Sequence, residues 1–448
     1  MLILGDLSVF YLGLAVTLFF RYGFEKFEKW WLLHFLPFST LFIIWIVIFW
    51  IAGLYDLLSF FSKQKIGEKI IQTMFFIGIL SVAIFYVWQQ QIVITPKTNL
   101  IINLAVSAFL LIIWRKIYEK ILASSQKNRL IFLGWSKETL EFSNMLRESP
   151  HFGYEPVAAV IPVGYETDSD INLPVFHLDG NLPKIIREKG VNLVIASLDI
   201  RANPDFTKMV YEVLPLGITY ANFPRFYEET LGKIPVSTIS EIWFLENLAE
   251  NEKRFFEAGK RAFDILAGII LGIITILILP FVSAAIKSES LGPVFFRQRR
   301  VGKNGKIFEL IKFRSKTHDG AEKNSGWNKE EDEKRSTFVG KILRKSYIDE
   351  LPQALNIISG EMSLIGPRPE RPEFVENLKN EIPHYMIRLL VRPGISGWAQ
   401  INMKHDASAK DALEKLQYDL YYIKNRSFWL DLYIALKTLF TMISHAGK

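Results

Sequence analysis

Four long apolar stretches open the chain, at about Leu2–Phe20, Trp30–Gly53, Ile70–Trp88 and Leu100–Trp114. A helix needs about 20 apolar residues to cross a bilayer, so three are long enough and the fourth is marginal. The first lacks a basic leader and a small-residue cleavage site, which predicts a retained membrane helix rather than a signal peptide. Trp30, Trp31, Trp88 and Trp114 stand at stretch ends, where an interfacial aromatic belt puts them. Lys63, Lys65 and Lys69 in the second connection, and Arg115, Lys116 and Lys120 after the fourth stretch, predict that both face the cytoplasm. The first connection carries Arg21, Lys26 and Lys29, so the bias is modest. An even number of crossings leaves everything beyond residue 115 on the cytoplasmic side.

A fifth apolar run, Ala262–Ile286, has basic residues on both flanks: Lys260 and Arg261 before it, Lys287, Arg297, Arg299 and Arg300 after it. Charge on both sides predicts that both ends lie in the cytoplasm. Pro280 interrupts the run and frees the carbonyl of Ile276, which in lipid needs a substitute partner such as Thr275 or Ser283. The pattern predicts a helix over 260–286 that enters the membrane, bends near Pro280 and returns. A kinked crossing helix fits the same pattern.

Between these regions the periodicity changes. "RLIFLG" from Arg129, "EPVAAVI", "VNLVIASLDI" and "ITYANF" read as strands, while "KETLEFSNMLRES", "LPKIIREKG" and "FTKMVYEVLPLG" read as helices. Alternation of this kind predicts a parallel, doubly wound sheet over about residues 126–248. Nucleotide-binding sheets of this type carry a glycine-rich turn after the first strand. Here that turn is "LGWSKET", with Gly134 alone and Trp135 and Lys137 where backbone should approach a ligand. The dinucleotide fingerprint is absent, and a structural or oligomer-organising role is the expectation.

Composition sharpens this picture in three ways. At 448 residues the chain suits about three domains. Half its residues are hydrophobic and 14% aromatic, as expected for membrane segments joined to soluble domains. It has no cysteine, which excludes disulfides and thiolate zinc sites, and its net charge of +7 suits anionic partners or the basic flanks of membrane helices.

Residues 253–448 carry the candidate chemistry. Lys303-Asn304-Gly305-Lys306 reads as a hairpin turn, and Asp411 to about Ile443 as a helix whose Leu416, Leu420, Ile423, Leu430 and Leu439 suit either core packing or a membrane interface. In "SYIDELPQALNIISGEMSLIGPRPERPEF" the adjacent acids Asp349 and Glu350 precede Pro352, expected to start a helix closed by Gly360. Acids there complement a helix dipole in any protein. They also suit a carboxylate nucleophile facing a phosphate, provided cations or a divalent metal neutralise the repulsion. Arg368, held between two prolines, can grip phosphate oxygens bidentately, with Lys312 and Arg314 adding charge, and an oxygen-rich site suits Mg²⁺.

"KRAFDILAG", "FFRQRRVGKNGKIFELIKFRS", "DELPQALNIISGEMSLIGPRP" and "VRPGISGWAQIN" together resemble the bacterial sugar transferase family, the monotopic phosphoglycosyltransferases, over about residues 255–445. The apolar start and the degenerate Rossmann-like module are similar to the long exopolysaccharide-type form. The resemblance implies a multi-domain membrane protein: a four-helix transmembrane bundle (1–120), the Rossmann-like α/β domain (126–248), and a mainly α catalytic domain (253–448) with a re-entrant membrane helix broken at Pro280. It further implies transfer of a sugar 1-phosphate from a UDP-sugar to a polyprenyl phosphate such as undecaprenyl phosphate. Asp349 matches the family's nucleophile and is the expected metal contact; Glu350 matches its assisting acid. Arg368, Arg314, Lys312, Arg297, Arg392 and Lys404 are the expected phosphate and substrate contacts. The enzyme is expected in the bacterial inner membrane, with its catalytic domain in the cytoplasm, Mg²⁺ as cofactor, a homodimer as an allowed state and no nucleic-acid partner. The chain departs from the family pattern at Asn402-Met403-Lys404, where Asn-Gly-Arg is common, at Leu279-Pro280, where Ser-Pro is usual, and at Lys316, where methionine is common. A catalytically silent membrane scaffold is the alternative expectation, and an oxidoreductase using the α/β module is disfavoured by its missing glycines.

Overall fold

The two opening apolar stretches run together as α1 (Leu2–Ile51), interrupted at Gly23, whose φ of 70° and ψ of 175° reverse the chain. Only glycine takes such a conformation without strain. The halves fold back on one another through Phe10 against Trp45 (5.1 Å between ring centroids) and Tyr11 against Phe42 (5.0 Å). The computed structural model describes residues 2–55, 66–87, 97–124, 127–149, 152–162, 170–178, 181–197, 204–248, 253–317, 336–403 and 409–445. It divides into two units, Met1–Ala221 and Asn222–Lys448. Lys63, Lys65, Trp88 and Lys404 lie outside the described residues.

In the first unit, α2 (Ile66–Val87) meets α1 where Trp45 Nε1 donates to Ser81 Oγ (3.0 Å). α3 (Lys97–Ser124) meets it where Arg115 donates to Asp6 (2.6 Å). By sequence Arg115 is one of the basic residues that mark the cytoplasmic flank of the fourth stretch. Both members of this pair are buried, and they are paired because an unpaired charge inside an apolar bundle costs far more than a paired one. All three helices are long and apolar enough to cross a membrane, which marks the chain as a membrane protein.

The α/β part follows: β1 (Asn128–Leu133), α4 (Lys137–Glu148), β2 (Tyr154–Pro162), β3 (Val175–Leu178), α5 (Leu182–Lys189), β4 (Leu193–Ala196), α6 (Pro204–Val213) and β5 (Thr219–Asn222). The strand order is β3-β2-β1-β4-β5, with β1 parallel to both β2 and β4 and β2 parallel to β3. The sequence reading missed β3, a four-residue edge strand too short to show a period. Gly190 closes α5 in the left-handed region (φ 60°), as expected. Trp135 is buried, packs edge-on against Phe132 and donates Nε1 to the Asp170 carbonyl (3.3 Å).

The second unit starts earlier than the periodicity implied. α7 (Phe223–Leu231) and α8 (Glu241–Asn247) fall within the 126–248 that the sequence implies for the middle module, but they group with the second unit. Ile234, Val236, Ile239 and Phe244 share a core with Leu416, Leu420, Ile423 and Ile434, and the Ile234 amide donates to the Gln417 carbonyl (3.0 Å). The expected C-terminal helix is two, Ala409–Asn425 and Phe428–His445. At the break, Arg426 donates to Glu257 (2.9 Å) and to the Ile423 carbonyl (2.6 Å). Leu416, Leu420 and Ile423 are core residues, while Phe428, Trp429 and Leu439 are exposed.

α9 (Arg254–Glu289) runs helical through Pro280 and is also long and apolar enough to cross a membrane. Asp264 and Gly268 face the unit: Asp264 accepts from Ser363 Oγ and the Leu364 amide (2.9 Å each), and Gly268 lies against Ile357 and Ile358. Leu266, Ile270, Ile273, Leu277 and Phe281 face outward. Thr275 donates back to the Leu271 carbonyl (2.7 Å).

β6 (Phe295–Val301) and β7 (Ile307–Phe313) form the expected antiparallel hairpin, its turn taking Asn304 and Gly305 to positive φ. β8 (Ser363–Ile365) and β9 (Gly394–Ser396) pair in parallel beside a close backbone approach. A Cβ on Gly394 would lie 2.1 Å from the Gly366 amide nitrogen, backbone that cannot yield locally. We expect Gly394→Ala to separate β8 from β9 and lower the melting temperature by about 10 °C or more, as a strained core substitution of several kcal/mol does. Thermal unfolding of the detergent-solubilised chain checks this.

Candidate active site

Three elements deliver the charged side chains. Lys312 stands one residue before the end of β7. Asp349 and Glu350 lie in the first turn of a short 3-10 helix, Ile348–Gln353, which runs into an α-helix, Ala354–Ser359, closed by Gly360 at φ 89°. Pro352 therefore sits inside the 3-10 turn rather than starting the helix; with no amide to donate, it tolerates the tighter winding. Arg368 follows β8 in the loop Gly366–Pro369. Tyr347, immediately before the 3-10 helix, adopts φ 57°, a strained value for a bulky residue. Strain at such a place is a hallmark of sites whose geometry is imposed by their surroundings.

Glu350 is the hub. Its Oε1 accepts from Lys312 Nζ at 2.5 Å and from Arg368 Nη2 at 3.2 Å. Burial pushes its pKa up, but Lys312 and Arg368 outweigh burial and bring it down to about 2. The neighbouring carboxyl goes the other way. Burial pushes Asp349 up to about 6, against Lys312, with Glu350 adding repulsion and Arg344 and Arg368 pulling down. Among the described residues no donor hydrogen-bonds the Asp349 carboxylate. Burial also lowers the Lys312 pKa, against the pull of Glu350. Two adjacent acids thus differ sharply: one is ionised and tied to two cations, the other is basic and, among the described residues, without a hydrogen-bonding donor. Such divergent environments separate roles in paired-carboxylate sites.

The other predicted residues lie elsewhere. Arg314 is buried, donating to the carbonyls of Leu291 (2.7 Å) and Ser290 (2.8 Å), so it fastens the end of α9 to β7. Arg297 is exposed on β6 and pairs with Glu309 (3.2 Å). Arg392 donates to the Gly360 carbonyl (3.1 Å), at the end of the helix that follows the acids. Lys404 lies outside the described residues. Sequence reasoning missed the layer behind Arg368. Arg300 donates to the Pro369 carbonyl (2.9 Å) and Arg388 to the Arg368 carbonyl (2.9 Å). A lone arginine in the apolar run Ile387-Arg388-Leu389-Leu390 was the available signal, since a charge there must be buried and paired.

A family model described as "Bacterial sugar transferase" matches residues 255–445, and one described as "CoA-binding domain" matches residues 50–219. A UDP-N-acetylgalactosamine-undecaprenyl-phosphate N-acetylgalactosaminephosphotransferase of Aeromonas hydrophila is 46% identical over 188 residues, 42% of this chain and 44% of that protein. The chain therefore spans less than half of that relative. A UDP-glucose:undecaprenyl-phosphate glucose-1-phosphate transferase of Klebsiella pneumoniae is 30% identical over 320 residues, covering 70% of this chain and 67% of that protein. One from Xanthomonas campestris pv. campestris is 30% identical over 332 residues, 69% and 65% respectively.

Proposed function

We propose that this chain, which belongs to the bacterial sugar transferase family, transfers a sugar 1-phosphate from a UDP-sugar to a polyprenyl phosphate such as undecaprenyl phosphate, releasing UMP. The observation that carries the reading is the split acid pair: Asp349 basic and, among the described residues, without a hydrogen-bonding donor, Glu350 ionised and gripping Lys312 and Arg368. A carboxylate oxygen of Asp349 attacks the sugar-bearing phosphorus. The bond to the bridging oxygen breaks, and UMP leaves with the electron pair. The resulting phosphosugar–aspartyl group is then attacked at the same phosphorus by a polyprenyl phosphate oxygen, and the Asp349 carboxylate departs. Neither step needs a proton from Glu350, which suits an acid with a pKa of about 2. Its part is to hold Lys312 and Arg368 where the transferring phosphoryl group develops charge.

Mg²⁺ fits the donor set. Among the described residues no cluster of three or more acids or histidines gathers, so a divalent ion would rest on Asp349 and on substrate phosphates, the usual arrangement for magnesium. When bound it would supply positive charge against the phosphate oxygens. Coenzyme A does not fit the α/β module: Trp135 fills the turn after β1, and Ser136 caps α4 by accepting from the Thr139 amide (3.2 Å). Phosphate loops need open backbone amides there.

The topology belongs to the same proposal: four N-terminal crossings, a cytoplasmic catalytic unit on the bacterial inner membrane, and α9 as a re-entrant helix. Support comes from both ends of α9 packing on one unit. Near its start Lys260 pairs with Asp431 (2.5 Å), and near its end Ile286 packs with Phe313 and Leu343. A simple crossing helix would carry one end away.

UMP release from UDP-glucose and UDP-N-acetylgalactosamine, with polyprenyl phosphate and Mg²⁺, tests the reaction. Silence across a broad UDP-sugar panel would favour a scaffold. The pH dependence is a second check. Only ionised Asp349 attacks, so kcat/KM should rise with unit slope up to a midpoint near pH 6 and level off above it. Stability runs oppositely: with a folded pKa above the ordinary 3.8, Asp349 contributes most below about pH 4, and that contribution is lost as pH rises through about 6. A flat profile between pH 5 and 7 counts against the assignment.

A further inference from the structure

Behind the Arg368 loop lies a largely buried cluster of three cations and two acids whose side chains, among the described residues, contact neither Asp349 nor Glu350. Arg388, 3% exposed, donates Nε and Nη2 to Asp419 Oδ2 (3.1 and 2.8 Å), Nη1 to the Tyr385 hydroxyl (2.8 Å), and Nη2 to the backbone carbonyl of Arg368 (2.9 Å). Glu370 accepts from Lys415 (2.6 Å) and lies 3.9 Å from both Arg388 and Arg300. Arg300 donates to the carbonyl of Pro369 (2.9 Å). Consecutive carbonyls, those of Arg368 and Pro369, are thus each held by a guanidinium, the buried one of Arg388 and the half-buried one of Arg300.

The cluster is expensive to keep if stability is its sole purpose. Burying charges requires desolvation that their mutual attraction barely offsets, and well-packed apolar residues often do as well. What apolar residues cannot do is fix a carbonyl oxygen. The backbone on either side of the Arg368 Cα sets where its guanidinium points, and that side chain is more than a third exposed, so its own surroundings hold it weakly. The rigid, pre-organised fork of Arg388 joins Asp419 to the Arg368 carbonyl through a single planar group.

We infer that Arg388 is a positioning residue for phosphoryl transfer, acting through the Arg368 backbone to aim the Arg368 guanidinium at Glu350 and the substrate phosphates. The inference rests on the reaction proposed above. Lysine at 388 would keep the positive charge beside Asp419 and Glu370 but lose the planar fork, so the Asp419, Tyr385 and Arg368 carbonyl contacts no longer fix one another's direction.

A double-mutant cycle separates positioning from support of the fold. Wild type, Arg388→Lys, Arg368→Ala and the double variant are assayed as full chains in one detergent, by UMP release from whichever of UDP-glucose and UDP-N-acetylgalactosamine the wild type turns over. Arg388→Lys is expected to lower kcat/KM about 10-fold or more, and to cause no further loss once Arg368 is alanine. Multiplied losses, or an Arg388→Lys protein with a lower melting temperature and wild-type kcat/KM, overturn the inference. Tyr385→Phe removes only the hydroxyl that Arg388 Nη1 meets. It should give a smaller loss with the same non-additivity, and it decides the matter if the lysine variant fails to fold. A wild type that releases no UMP counts against the reaction itself and takes this inference with it. Multiplied losses in an active enzyme overturn the positioning role alone.

Discussion

Asp349→Asn should remove at least about 10³-fold of UMP release while leaving the protein folded and, above pH 6, more stable. The rate loss follows from the chemistry, since a carboxamide cannot attack phosphorus and leave again as a carboxylate. The stability gain follows from the site. Burial raises the Asp349 carboxyl to about 6, so at pH 7 the folded protein carries an ionised group it would hold more comfortably protonated. A shift of about 2 units corresponds to at most about 3 kcal/mol, which the neutral amide recovers in part. UMP release and thermal unfolding of the same preparation measure both effects. Normal turnover by Asp349→Asn would falsify the covalent mechanism, and a lower melting temperature at pH 7 would contradict the burial argument.

Lys312→Met carries the second largest effect. It removes the closer of the two cations on Glu350 and the strongest neighbour lowering the Asp349 pKa. Breaking a buried pair by deleting one partner costs about 3–5 kcal/mol, here towards the lower end because Arg368 still contacts Glu350. With Lys312 gone, burial is less opposed and Asp349 rises above about 6, so the acidic limb of the activity profile moves to higher pH. At pH 7 we expect about 10²–10³-fold lower kcat/KM, the scale of removing one electrostatic contact to a developing charge. Lys312→Arg should retain the position of the acidic limb. A methionine variant whose limb stays near pH 6 would show that the lysine does not act on Asp349.

The candidate site was legible to different depths. Asp349, Glu350, Lys312 and Arg368 stand in short segments rich in charge, glycine and proline, and the fold brings those four together. Arg314 and Arg392 carry the same charge in equally suggestive words, yet they hold the carbonyls of Ser290, Leu291 and Gly360. Residue type cannot tell a cation facing substrate from one capping a chain end; only the location of the nearest acceptor does. Arg388 and Asp419, 31 residues apart, could not be paired from spacing.

What the sequence by itself determined were the features set by neighbours along the chain. These are the long apolar helices, the β6–β7 hairpin with its Asn304-Gly305 turn, the parallel alternation after Asn128, and Gly190 and Gly360 as the ends of their helices. All follow from periodicity and from backbone freedom at single positions. What only the tertiary structure decided depends on groups distant in sequence. α8 and the segment before it joined the second unit because Ile234, Val236, Ile239 and Phe244 complete the core built on Leu416 and Leu420, and α7 joined it through Glu228, which accepts from Lys424 and Asn425. The flank charge of Arg115 became half of a buried pair with Asp6, 109 residues away. The two adjacent acids diverged because burial raises both, but Lys312 and Arg368 converge on Glu350 and outweigh it there, while at Asp349 burial prevails. Burial and long-range charge set those pKa values, and neither is a property of the residues that stand next to each other in "IDEL".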